Sequence, residues 1–125
     1  MAQRCDNGAH DEHDVYAALC PCRDVLEVLA AKWSALAIGA LEAGPERFTV
    51  LQQRLTGVSP KVLTRTLRRL EEYGFVTRTV FPAVPARVEY ELTELGRGAA
   101  APLAQLRDWV ESHVDLTRPE PRERA

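Results

Sequence analysis

The residues best equipped for chemistry in this chain are three cysteines, Cys5, Cys20 and Cys22. An odd count argues against a framework of structural disulfides. The thiolate is the reactive form, and a helix N-terminus or a neighbouring cation favours it. Cys20 stands just before the first helical segment, with Arg23 close in sequence. Three uses of Cys20 and Cys22 stand side by side. They could respond to oxidants or electrophiles. They could be inert, acting as small buried hydrophobes. One of them could join His10 or His13 in a metal site, although His10-x-x-His13 lacks the full spacing of known zinc motifs. Cys20 and Cys22 are two residues apart, so a bond between them would close a strained ring. Bonding across a dimer or to Cys5 is therefore expected instead.

Other catalytic chemistry finds no foothold. There is no Gly-rich phosphate loop and no Gly-x-Ser-x-Gly elbow. His113 falls on the last helix, apart from any acid–thiol arrangement. The expectation is a protein that is not an enzyme, with no catalytic residue, no cofactor and no metal assigned.

A second kind of chemistry lies in the distribution of charge. The 125 residues carry a net charge of −2, which by itself suits no polyanion. Residues 45–90, however, hold eight basic and four acidic side chains, or +4, between flanks of −4 (1–44) and −2 (91–125). Local charge, not the total, sets the field that a phosphate backbone feels. Within the basic stretch, Lys61, Thr64, Arg65 and Arg68 share one arc of a helical repeat, opposite Leu63, Leu67 and Leu70. Such a helix has an apolar back and a basic front.

The elements that must position this front follow from local signals. Residues 1–14 show no apolar period and read as a mobile, polar tail rather than a signal peptide. A short helical segment ends near Ala31, and a second helix runs from about Trp33 to Ala43, stopped by Gly44-Pro45. Arg47-Phe48-Thr49 could form a small strand, and Thr49 could cap a helix from Val50 to Leu55. Gly57 ends that helix. Ser59 at the N-cap and Pro60 at the first helical position then start a longer one, which closes at Tyr73-Gly74. A short helix, the turn Thr56-Gly57-Val58 and a longer helix make a helix-turn-helix.

Phe75 to Phe81 reads as a strand, and Arg87 to Leu92 alternates with Val88, Tyr90 and Leu92 on one face. Pro82 and Pro85 confine the segment between them to a turn or extended chain. Two strands joined by a loop form a wing, with Arg78 and Arg87 on its two arms. Thr93 can cap a last helix reaching about Leu116, bent or restarted at Pro102. Ala99, Leu103, Leu106, Val110 and Val114 line one side of it, with Trp109 adjacent. The fold class expected is α+β, mainly helical: a winged helix-turn-helix over residues 15–116, followed by a frayed tail at 117–125. The N- and C-terminal helices are expected to form a homodimer interface, since closed symmetric dimers dominate soluble oligomers. Trp33 and Trp109 are expected in the core.

These elements imply a double-stranded DNA partner. Ser59, Lys61, Thr64 and Arg65 are the candidates to reach base edges in the major groove. Arg68, Arg54, Arg78 and Arg87 are candidates for phosphates, which position a protein without specifying sequence. Arg69 could reach a phosphate or pair with an acid. RNA is a poorer fit, because the few aromatics form no stacking platform. A winged-helix protein–protein module usually loses such a basic face. No apolar run approaches the ~18 residues of a membrane span, so the expected location is cytoplasmic.

Several motifs in order resemble the HxlR family of bacterial winged-helix regulators, relatives of the MarR group. They are Cys20-Pro21; Lys32-Trp33; Gly44-Pro45-x-Arg47-Phe48-x-x-Leu51; Ser59-Pro60-Lys61-Val62-Leu63-Thr64-x-x-Leu67-Arg68-x-Leu70-Glu71; Gly74-Phe75-Val76; and Pro85-x-Arg87-Val88-Glu89-Tyr90-x-Leu92-Thr93-x-Leu95-Gly96. The resemblance spans about residues 18 to 112. It implies a dimeric repressor or activator on an inverted-repeat operator. It also implies that Cys20 matches a cysteine that senses oxidants or electrophiles in several members, so that a thiol-reactive small molecule would be the inducer. Cys22 departs from the family, where an aliphatic residue is commoner. Control by a non-reactive small-molecule ligand is the alternative.

Overall fold

The computed structural model describes residues 13–117. Most of the two expected tails, with Cys5 and His10, lies outside the described residues. The order of elements is α1 (Pro21–Ala30), α2 (Lys32–Ala40), β1 (Glu46–Arg47), α3 (Phe48–Arg54), α4 (Pro60–Glu72), β2 (Val76–Phe81), β3 (Arg87–Leu92) and α5 (Glu94–His113), with a short 3₁₀ turn at Val114–Leu116. The chain is α+β and mostly helical, a winged helix-turn-helix.

The core forms where the helices converge. Ile38, Leu51, Leu63, Leu67 and Leu70 are fully buried, joined by Leu41, Val76, Phe75 and Leu92. Cutting one such leucine to alanine costs about 2–5 kcal/mol, because both transfer energy and packing are lost. Trp33 packs against this core from its rim.

The three strands form an antiparallel sheet in the order β1-β3-β2. Val76 pairs with Leu92, Arg78 with Tyr90, and Phe81 with Arg87. Directly opposed residues share a face, so Val76, Arg78, Tyr90 and Leu92 look one way. Thr77, Thr79, Phe81, Arg87 and Glu89 look the other. The wing is therefore β2 and β3, extended beyond the core, and Val80 near its end is half exposed.

Several boundaries differ from those expected. The α-helix of α2 ends at Ala40, not Ala43, because the chain tightens into i→i−3 bonds from Leu41 to Ile38 and from Glu42 to Gly39. Thr49 lies inside α3 and does not cap it. The cap position belongs to Arg47, which leaves β1 with extended backbone and makes no side-chain cap bond. Pro102 neither divides nor restarts α5, which runs unbroken from Glu94 to His113. Trp109 is not in the core: it is 55% exposed, because the side of α5 that carries Leu106, Trp109 and Val110 is left uncovered by this chain.

Candidate nucleic-acid interface

The candidate interface is built on α4, whose two ends are fixed by local chemistry. Ser59 Oγ accepts a hydrogen bond from the Val62 backbone N–H at 3.1 Å, and Pro60 occupies the first turn. At the other end Gly74 takes φ +85°, and Phe75 N–H donates to the Leu70 carbonyl while Gly74 N–H donates to that of Glu71. This paired closure needs a left-handed residue after the helix, which glycine adopts without a Cβ clash. Phe75 and Leu70 are both buried in the same core cluster.

Burial of Leu63, Leu67 and Leu70 fixes the rotation of α4 about its axis. Lys61, Thr64, Arg65, Arg68 and Arg69 are consequently exposed. Pro60, Lys61, Thr64, Arg65 and Arg68 line one continuous outer surface. Thr64 and Arg68 also border a groove shared with Arg78 on the sheet, between α4 and the wing. The structure thus gathers Ser59, Lys61, Thr64, Arg65, Arg68 and Arg78 on and beside α4. Arg54 is exposed at the end of α3.

Arg87 stands apart. It lies on the opposite sheet face from Arg78, at the loop end of the wing. Its guanidinium stacks over the Phe81 ring, 4.4 Å from the centroid, and Nε lies 3.3 Å from Glu89 Oε2. Arg47, which was not among the expected contacts, borders the same groove as Arg87 and Thr49. Its signal in the sequence is only its place directly before a helix.

The cysteines are arranged differently from expectation. Cys20 is the N-cap residue of α1 and is buried, and its sulfur is paired with that of Cys22. Cys20 is extended and Cys22 lies in the first turn, so their Cα atoms stand 5.3 Å apart. That is within the ordinary disulfide range. Cys20 Sγ also lies 3.9 Å from His13 Nδ1. Among the described residues no group of three metal-ligating side chains gathers, and no helix is long and apolar enough to cross a membrane.

Comparison with known proteins agrees with this architecture. The HxlR-like helix-turn-helix family matches residues 28–118. The HTH-type transcriptional regulator YtfH of Escherichia coli (strain K12) is 40% identical over 103 residues, 82% of either chain. The solved transcriptional regulator ytfH from Salmonella typhimurium superposes with a TM-score of 0.79 at 39% identity, covering 82% of this chain and 92% of that one. The redox regulator HypR in its oxidized form superposes with a TM-score of 0.69 at 34% identity, covering 81% of this chain and all of that one. With its helix-turn-helix, wing and matching relatives in place, this chain belongs to the HxlR-like helix-turn-helix family of DNA-binding transcriptional regulators.

Proposed function

We propose that this protein is a cytoplasmic repressor that binds an inverted-repeat operator as a homodimer, reads bases through α4, and is switched by thiol chemistry at Cys20. The observation that carries the reading is the division of α4. Its leucines are wholly buried, while Lys61, Thr64, Arg65 and Arg68 face outward together. A helix of this kind beside a wing that presents Arg78 fits the major groove, with phosphates gripped on either side.

The dimer is supported by α5. Leu106, Trp109 and Val110, with Val114 just past the helix end, are each about half exposed, while the first half of the helix packs into the core. The occupant of this stripe is a second copy of the chain, since a two-fold pair of α5 helices would place two α4 helices on the two halves of a palindrome. The switch is supported by the pairing of Cys20 with Cys22 at the start of α1 and by the similarity to a redox regulator. Forming that bond removes two protons and two electrons from the thiols, taken up by a thiol-oxidising small molecule.

Retention on bulk duplex DNA over a salt gradient tests the reading. Binding that weakens steeply as salt rises supports it, because neutralised phosphates release counterions. Binding that is absent at low salt refutes it.

A further inference from the structure

Helix α2 begins without a cap. Ala31 closes α1 and opens α2 in an extended conformation, with no side-chain cap bond, and the first turn of α2 holds no acid. The first N–H groups of an α-helix lack acceptors within it and carry the positive end of its dipole. Here they belong to Lys32, Trp33 and Ser34. A groove opens at this point between the α1–α2 corner and α4.

Two independent features suit the groove to an anion. Lys32, Arg65 and Arg69 line it against a single acid, Glu27. Lys32 Nζ is held over the Trp33 ring, 4.6 Å from the centroid. The second feature is Ser34, which lines the groove, is only 5% exposed and is the one buried polar residue among the described residues. Its hydroxyl takes part in none of the hydrogen bonds among the described residues, and its oxygen is not among the enclosed unpaired atoms, so it opens to the groove. A hydroxyl that opens to a cationic groove can donate to a ligand that accepts hydrogen bonds.

We infer that this groove holds a phosphate of the DNA backbone that flanks the bases read by α4. The inference rests on α4 facing DNA, as proposed above. Arg65 borders both this groove and the outer face of α4, which places the groove on one flank of the reading helix. Arg68 and Arg78 occupy the other flank. A duplex that receives α4 in its major groove carries a strand backbone along each flank. On the α2 side, Ser34 Oγ–H and the first N–H groups of α2 donate to the phosphate oxygens, and Lys32 and Arg69 neutralise the charge.

The full chain carrying Lys32→Gln and Arg69→Gln, both at exposed positions, tests this on random-sequence duplexes across a salt series. The slope of log affinity against log salt should fall in magnitude by about 0.9 for the phosphate released. An unchanged slope overturns the proposal. Ser34→Ala should weaken every duplex several-fold by the same factor, with the slope and thermal midpoint kept. Backbone amide resonances of Trp33 and Ser34 distinguish the source of the anion. Shifts with duplex support the proposal, whereas shifts with inorganic phosphate and none with duplex assign the groove to a free anion and overturn it. Arg65→Ala and Arg78→Ala on the same duplexes separate the two levels. If they impair binding while the double variant does not, only this inference fails. If none of the three alters binding, the placement of α4 on DNA fails with it.

Discussion

The guanidinium of Arg107 fills the space a side chain on Gly39 would need, its Cζ only 2.7 Å from where a Cβ would stand. From that seat Nη2 reaches Glu42 Oε1 at 3.3 Å. One glycine thus lets α5 dock closely on the end of α2. Alanine inside a helix is ordinarily favoured over glycine by about 0.5–1 kcal/mol. Gly39→Ala should show that gain in an Arg107→Ala background and lose it in the parent, where the guanidinium is displaced. Denaturant titration of the four proteins closes the cycle, and equal effects in both backgrounds would show that the two residues do not interact.

Gly96 faces a harder neighbour. A Cβ there would run into the Phe75 carbonyl oxygen, which belongs to backbone and already accepts from Thr93 N–H. Gly96→Ala should therefore destabilise by at least about 2 kcal/mol, read as a drop in the unfolding midpoint. Wild-type stability in this variant would mean that α5 starts further from β2 than described.

At the wing, the two arginines should behave differently. Arg78 is exposed beside Arg68 and Thr64, whereas Arg87 is stacked on Phe81 and paired with Glu89. Arg78→Ala should weaken binding to all sequences and reduce the salt slope by about 0.9, and Arg87→Ala should reduce it less. Arg65→Ala should instead cost about 1–3 kcal/mol at a preferred site and flatten base preference in a random-pool selection. A selection profile identical to the parent's would remove Arg65 from the reading set.

For the assembly, Leu106→Glu together with Val110→Glu should yield monomers in sedimentation, with circular dichroism unchanged, because both positions are exposed in the single chain. A dimer that persists would move the interface elsewhere.

For the switch, Cys20→Ser should keep DNA binding when diamide is added, while the parent is released and regains binding with dithiothreitol. Equal release of both proteins would take control away from Cys20.

Much of this was legible in the sequence where the signals are local. Ser59-Pro60, the leucine spacing and Gly74 mark both ends of α4 because capping acts within a few residues. The alternation of Val88, Tyr90 and Leu92 reports the buried sheet face for the same reason. The two-residue strand β1 was legible only as a possibility. Its existence depends on β3 offering an edge to Glu46 and Arg47 from more than forty residues away, and that edge shifted the start of α3 past the attractive cap signal of Thr49. The pairing of Arg87 with Phe81 needed the strand register. The groove at Lys32 and Ser34 needed the packing of α2 on α4. Trp109 misled because size and apolarity announce burial without saying whether the burying surface is in the same molecule.

One small junction has mechanical reach. Thr93 Oγ1 donates to the Gly74 carbonyl at 2.6 Å and accepts from Gly96 N–H at 3.0 Å, so a single hydroxyl ties the end of α4 to the start of α5. A helix of 20 residues is roughly 30 Å long. A tilt of about 5° at that pivot carries the far tip of α5 through about 2–3 Å. In the dimer proposed above, a small displacement where two tips meet would become a rotation of each α4, so that the pair would work as calipers, with Thr93 as the hinge pin and the spacing of two DNA half-sites as the gap they measure.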